Sequence, residues 1–208
     1  QKHFTPRYRP WQQRVAFVPD GDIFQGIASG KASVETDEIE RFTEKGILLK
    51  SGKELEADII ITATGFNLCV MGDIDFTVDG KPVNFADTVT YRGMMFTGVP
   101  NLVWVFGYFR ASWTLRVDIL GDFVTRLLNH MTKLGKKKVT VALRPEDHNM
   151  KLQPWIDPEN FNPGYLQRGM HLLPKCGDKP EWQHTQDYWT EKDVVPNIDL
   201  TAREFHYE

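Results

Sequence analysis

Two short runs restrict this chain more than anything else in it. One is Ile59-Ile60-Ile61 inside "ADIIITATGF" (Ala57 to Phe66); the other is Leu102 to Phe106 inside "NLVWVFGYF". Uninterrupted apolar runs of this length, rich in β-branched residues in the first case, predict strands covered on both faces, as in a parallel sheet: Asp58 to Thr62 and Leu102 to Phe106. Each run ends on a glycine-aromatic turn, Gly65-Phe66 and Gly107-Tyr108. In open α/β sheets ligands lie beyond the carboxyl ends of the strands, and a glycine there lets backbone approach closely. The second turn leads into a predicted helix whose free N–H groups and positive dipole end suit an anionic group such as a phosphate. That both turns are ordinary strand-to-helix connections stays open at this point.

The elements around these runs are mostly short. Lys2 to Trp11 is rich in Pro, Arg and aromatics and predicts a surface loop. "VPDGDIFQGIASG" predicts a short helix capped by Asp20 or Asp22, with Ile23, Phe24 and Ile27 on its apolar face and Gly30 as its stop. "ASVETD", "EIERFTE" and "GILLKSG" predict a small antiparallel meander with turns at Lys45-Gly46 and Ser51-Gly52, and "IDFTVDGKPVNF" a hairpin turning at Asp79-Gly80. After Gly107, Ser112 is a good N-cap. Leu115, Ile119, Phe123, Leu127 and Met131 recur every four residues, and Gly135 ends the helix. From Glu146 the chain is Pro-, Trp- and Tyr-rich with little periodicity, which predicts an extended, wrapping tail. Trp113, Trp155 and the tail aromatics read first as core packing, and as a substrate wall second.

Composition excludes several classes. With 208 residues, 41% hydrophobic and 25% charged, the chain is an ordinary globular length of sequence, and a net charge of -3 gives no reason to expect nucleic acid. The two cysteines, Cys69 and Cys176, make no framework and match no metal spacing, so a reducing, cytoplasmic setting is the default. No apolar run approaches the roughly 20 residues of a membrane span. There is no Asn-x-Ser/Thr acceptor, no Gly-x-Gly-x-x-Gly, no phosphate loop ending in Gly-Lys-Ser/Thr, no His-Glu-x-x-His, no Gly-x-Ser-x-Gly and no Cys-x-x-Cys. No catalytic residue and no metal ligand can be named on residues alone. The chain starts at Gln1 on "QKHFTPRYRPW" without start-of-domain character, which suggests a piece of something longer.

Four phrases in order carry a resemblance. "DIIITATGF" resembles the Asp-(apolar)-Ala-Thr-Gly-aromatic motif of flavin-containing and Baeyer–Villiger monooxygenases, the class B flavoprotein monooxygenases. "HFTPRYRPWQQR" with "PDGDIF" and the meander is similar to the second half of their NADP domain. "TGVPNLVWVFGYFRASWTLR" is similar to their last FAD-domain strand and helix. "FNPGYLQRGMHLLPK" with "WQHTQDYW" resembles the tail of the thioamide-prodrug-activating mycobacterial branch. Each phrase is weak alone; the order makes them specific, and together they cover essentially the whole chain.

The resemblance implies an incomplete doubly wound α/β FAD/NAD(P)-binding fold with a small antiparallel meander and an extended tail. Residues 1–66 would be the second half of the NADP domain, 67–145 the C-terminal part of the FAD domain, and 146–208 the tail. It implies FAD and NADPH as cofactors, O2 as co-substrate, and a small ketone, sulfide or thioamide as substrate, with the homo-oligomeric state left open. Ala63, Thr64, Gly65 and Phe66 would approach a dinucleotide through backbone; Phe106, Gly107, Tyr108 and Ser112 would neighbour the flavin. The family's two Gly-x-Gly-x-x-Gly loops, its Phe-x-Gly-x-x-x-His-x-x-x-Trp fingerprint and its catalytic arginine belong upstream, so that role is not carried to Arg7, Arg9, Arg14 or Arg110. The isolated chain is therefore expected to be inactive. A different FAD/NAD(P)H oxidoreductase and a non-catalytic fragment remain the alternatives.

Overall fold

Strand pairing in this chain is antiparallel throughout its named ladders. In the computed structural model, which describes residues 2–208, parallel contact is confined to two isolated bridges, Val89 with Lys175 and Thr97 with Val141. The residues fall into two units, Gln1–Phe66 and Asn67–Glu208.

In the first unit, helix α1 spans Asp22–Ala28 as the sequence predicts, but its start differs. Gly21, in the left-handed conformation, occupies the N-cap with no side-chain cap, and Asp22 lies in the first turn, where its charge meets the helix's positive end. The apolar face of α1 lies open, with Ile23 and Phe24 exposed. The meander is β1 (Ile39–Phe42), β2 (Gly46–Leu49) and β3 (Glu54–Glu56), in order β1-β2-β3. Ile47 stands opposite Phe42 on one side and Leu55 on the other. Thr43 Oγ1 accepts from Gly46 N at 3.0 Å and closes the first turn. "ASVETD" stays outside this sheet; the third strand comes from "KELEA" instead.

The predicted strand over Asp58–Thr62 does not form. Its residues join no strand ladder among those described, and Ile59 and Ile61 are 81% and 86% exposed. An apolar strand of this kind exists only between neighbours that take its N–H and C=O groups and cover both faces. Among the described residues nothing supplies those neighbours.

The second unit opens with a 3-10 turn at Val70–Asp73 and two hairpins: β4 (Thr77–Val78) with β5 (Lys81–Pro82), and β6 (Thr90–Tyr91) with β7 (Met95–Phe96). The first turns at Asp79-Gly80 as predicted, both residues having positive φ. Leu102–Phe106, the other predicted buried strand, joins no ladder either. Trp104 N–H donates to Met94 O at 2.7 Å, and the side chains alternate: Val103 packs towards the main core, while Trp104 and Phe106 turn to Trp155, with ring centroids 4.9 and 4.6 Å away. So the run is a core-crossing segment with a period of two, not a parallel strand.

Helix α2 spans Trp113–Leu134. Ser112 Oγ accepts from Thr114 N–H at 3.3 Å, and Gly135, in the left-handed conformation, closes the last turn. Its stripe of Ile119, Leu120, Phe123, Leu127 and Met131 is buried against Tyr91, Met95, Val139 and Val141 (the last two in β8, Val139–Val141) and against Trp182, Val195 and Phe205 from the tail. The tail is thus far less extended than predicted. It carries β9 (Gln153–Pro154), α3 (Gly164–Gly169), β10 (Lys175–Cys176), α4 (Tyr188–Val194) and β11 (Phe205–Tyr207); β10 pairs β9, and β11 pairs β8. Trp155, Ile156, Phe161, Leu166 and Leu173 build a second apolar cluster together with Phe109, against which Trp104 and Phe106 pack.

A fully buried carboxylate pins the start of this tail. Asp147 accepts from Arg144 Nε at 2.6 Å and Nη2 at 3.1 Å, from Trp182 Nε1 at 2.8 Å, and from Lys179 Nζ. Burial alone would raise its pKa, but these donors outweigh it and hold the group well below the usual carboxylate range. Asp147→Ala leaves the Trp182 indole N–H without its acceptor in the interior and takes one carboxylate from Arg144, which keeps Glu181 and Glu204, and from the part-exposed Lys179; it is expected to cost about 1–3 kcal/mol in denaturant unfolding. Because the folded pKa is depressed, the carboxylate's contribution is complete above about pH 4 and is lost as pH falls from there towards the folded value. A variant as stable as the parent at pH 7 would show that this carboxylate is not the tie.

Candidate functional site

One position on α2 breaks its apolar stripe. Arg116 stands three and four residues before Ile119 and Leu120, on the face turned to the core, and is 1% exposed. A buried guanidinium needs acceptors on every side, and it finds them. Nε donates to Glu191 Oε2 at 3.0 Å and Nη2 to Glu191 Oε1 at 3.1 Å, a two-pronged pairing with α4. Nη1 donates to Phe106 O at 2.6 Å and Nη2 to Arg92 O at 3.0 Å. Tyr108 O–H donates to Glu191 Oε2 at 2.6 Å. Burial first, and that bond to a carboxylate second, push the Tyr108 phenol far above its ordinary range, so it stays a donor at any working pH.

The backbone after Arg116's acceptor is equally held. Phe109 N–H donates to Gln186 Oε1 at 2.6 Å, and Gln186 Nε2 donates to Gly107 O at 3.4 Å. Trp113 lies over Gly107 so closely that a Cβ there would stand 2.2 Å from its Cγ. Arg110 Nη2 donates to Asn160 O at 2.8 Å. Three tail residues, Asn160, Gln186 and Glu191, therefore grip the turn that precedes α2. Its outer edge is open: Ser112 and Thr114 are exposed and Trp113 is 43% exposed.

Of the residues the sequence singles out, Phe106, Gly107, Tyr108 and Ser112 come together in this turn. Gly107 and Tyr108 are buried, Phe106 half-buried. Ala63, Thr64, Gly65 and Phe66 end the other unit exposed and outside its strand ladders, with Gly65 at φ +93° and Phe66 87% exposed. Arg116, Glu191 and Gln186 were missed. Arg116 had a signal, a cation placed on an apolar stripe; Glu191 lies 75 residues away with nothing local to mark it. Beside the turn, Phe109, Trp155, Asn160, Phe161, His184 and Gln186 are among the walls of a cleft of about 280 Å³. Among the described residues, no three His, Cys, Asp or Glu are placed to hold a metal ion, and no helix is long and apolar enough to cross a membrane.

Known proteins align with this chain from end to end. It is 42% identical over 207 residues to "Probable FAD-binding monooxygenase AlmA" of Acinetobacter baylyi, all of this chain against 41% of that protein. It is 44% identical over 207 residues to the FAD-containing monooxygenase EthA of Mycolicibacterium smegmatis, again all of this chain against 41% of the relative. With EthA of Mycobacterium tuberculosis the identity is 47% over 188 residues, 90% of this chain and 37% of the relative. The chain thus spans about two fifths of the length of the relatives it matches. No family model matches it, and no solved structure matches it significantly.

The packing at the turn predicts opposite outcomes at two glycines. Gly107→Ala puts a methyl into the Trp113 ring and is expected to cost about 1–3 kcal/mol and to change the Trp113 environment in fluorescence. Gly121→Ala, exposed on α2 with nothing within 4 Å of its added Cβ, is expected to gain up to about 1 kcal/mol. Thermal melts of both beside the parent decide it; a Gly107→Ala protein that melts no lower refutes the tight turn.

Proposed function

This chain is a segment of a protein in the FAD-binding and FAD-containing monooxygenase family, and we propose that it supplies the flavin-side turn and the last part of the nucleotide-binding fold of an FAD- and NADPH-dependent monooxygenase. The single observation behind this reading is the alignment of the whole chain at 42–44% identity. Residues 1–66 would complete the NADP domain, 67–145 the FAD domain, and 146–208 a tail that braces the latter. The substrates in this reading are small ketones, sulfides or thioamides, handled in the cytoplasm.

The residues fit that role in a specific way. The Arg116 guanidinium is turned inward on Glu191, Phe106 and Arg92, so it orients the turn and is not offered to a ligand. What the turn offers outward is backbone and the exposed first turn of a 22-residue helix at Ser112, where a dipole end favours an electron-rich partner. When bound there, FAD supplies the redox chemistry that activates O2 and leaves one oxygen atom on the substrate. Phe106, Gly107, Tyr108 and Ser112 hold and orient that edge; Tyr108 keeps its proton on Glu191 and only positions. Ala63 to Phe66 approach the dinucleotide by backbone, a use to which the positive φ of Gly65 is suited. The open Ile59 and Ile61 faces are the surfaces that the remaining strands of the fold would cover.

Two glycines test this in the full-length enzyme. Gly65 (φ +93°) and Gly52 (φ +87°) have similar backbone geometry, and neither has a neighbour within 4 Å of an added Cβ. Valine at either position therefore carries a similar strain. Gly65→Val is expected to lose bound FAD or substrate-stimulated NADPH oxidation, whereas folded Gly52→Val keeps both. Equal retention in the two variants removes Ala63–Phe66 from the site. Absence of flavin and of NADPH oxidation in the parent, with a ketone, a sulfide and a thioamide each supplied, overturns the function itself.

A further inference from the structure

One side chain of the tail takes hold of backbone on both sides of Tyr108. Gln186 Oε1 accepts from Phe109 N–H at 2.6 Å, and Gln186 Nε2 donates to Gly107 O at 3.4 Å. A carboxamide carries an acceptor and donors on one planar head, as a peptide group does. The two backbone groups fix which way it points. Reversed, it would set its NH2 against the Phe109 N–H and its oxygen against the Gly107 oxygen. A carboxylate of the same length lacks the donor, and an apolar side chain of that length lacks both groups.

The base of this side chain is fixed as well. Gln186 directly precedes Asp187, the N-cap of α4, whose Oδ1 accepts from Trp189 N–H at 3.0 Å and whose Oδ2 accepts from the Thr190 hydroxyl at 2.6 Å. Glu191, in the first turn of the same helix, is paired with Arg116. Freezing a long, flexible side chain costs rotamer entropy, and a rigid base with both ends of the head bonded offsets that cost. The other ties at the turn act on different groups. Arg116 holds Phe106 O, Glu191 holds the Tyr108 hydroxyl, and Asn160 accepts from the Arg110 guanidinium through its carbonyl and its Oδ1. Those ties fix one carbonyl and two side chains; Gln186 fixes the main chain between them.

We propose that Gln186 is a positioning residue for the flavin-side turn: its carboxamide, carried on the start of α4, sets the Gly107–Phe109 backbone beside which the cofactor binds. This rests on the reading above that Phe106, Gly107, Tyr108 and Ser112 neighbour FAD. It adds that the shape of that edge is dictated from the tail, nearly eighty residues further along the chain, by one neutral side chain that does not itself touch the cofactor.

Two glutamines of the tail test it in the full-length enzyme. Gln186→Met keeps length and bulk and removes both hydrogen bonds. Gln183→Met makes the same exchange three residues away, where the amide donates to Asp178 O at 3.0 Å and leaves the turn alone. The dissociation constant of FAD, the visible circular dichroism of bound flavin and hydrogen exchange of the peptide spanning residues 107–112 are measured for both beside the parent. Gln186→Met is expected to bind FAD about tenfold more weakly, to change the flavin dichroism and to exchange faster at the turn, while Gln183→Met matches the parent in all three. A merely structural role would lower the melting temperature without moving the dichroism of the flavin that stays bound. If Gln186→Met does not fold, Gln186→Asn, which keeps the amide and draws it back by one methylene, carries the same comparison with an expected loss of about threefold. A flavin-bound parent whose Gln186 variant keeps its affinity and dichroism, or loses them no more than Gln183→Met does, overturns this inference alone. A parent that binds no flavin overturns the proposed function and this inference with it.

Discussion

The pairing of Arg116 with Glu191 governs the second unit. Taking two charges out of water costs several kcal/mol each, and their mutual attraction returns that only when geometry and further hydrogen bonds are good. Here the carboxylate receives Nε, Nη2 and the Tyr108 hydroxyl, and the guanidinium reaches two backbone carbonyls besides. The net gain in stability from such a pair is small. What it fixes is relative position: α2, α4, the segment before the turn and the turn itself can meet in one arrangement only, because any other strands a charge in the interior. The apolar contacts around it are non-directional and would tolerate sliding; the ion pair does not.

Asp147 plays a parallel part at the start of the tail. It joins Arg144, just before the tail, to Lys179 and Trp182 within it. Between the two hubs the tail supplies aromatic bulk: Trp155, Phe161 and Trp182 fill space that strand and helix alone leave open. This explains why a segment without periodicity is nonetheless well buried. Its order comes from a few charged anchors and large rings, which leave no repeating pattern in the sequence.

What could be read from the sequence divides along the same line. The caps and apolar stripe of α2, the Asp79-Gly80 hairpin and the meander turns were legible, because each is decided by residues within a few positions of one another. Asp58–Thr62 and Leu102–Phe106 were read as strands because their composition suits a covered sheet. Whether a ladder forms depends on partners, and composition is silent on those. The turn at Phe106–Ser112 was found, but its supports were not: Glu191 and Gln186 act across 75 and more residues, and only Arg116, a cation on an apolar face, announced itself. The unpartnered ring nitrogens of Trp155 and His184 had no sequence signal at all, since an unmet hydrogen bond is a property of the packed surroundings.

The pairing of β11 with β8 has a consequence for how the protein is made. Val139–Val141 finds its partner in Phe205–Tyr207, and Phe205 packs into the same cluster as Phe123 and Leu127 of α2. During synthesis α2 leaves the ribosome long before those residues exist. For the time needed to add some seventy more, at roughly 5–20 residues per second, its apolar stripe has Tyr91, Met95, Val139 and Val141 to pack against but lacks Trp182, Val195 and Phe205. Unit two therefore completes its packing only once β11 has been made.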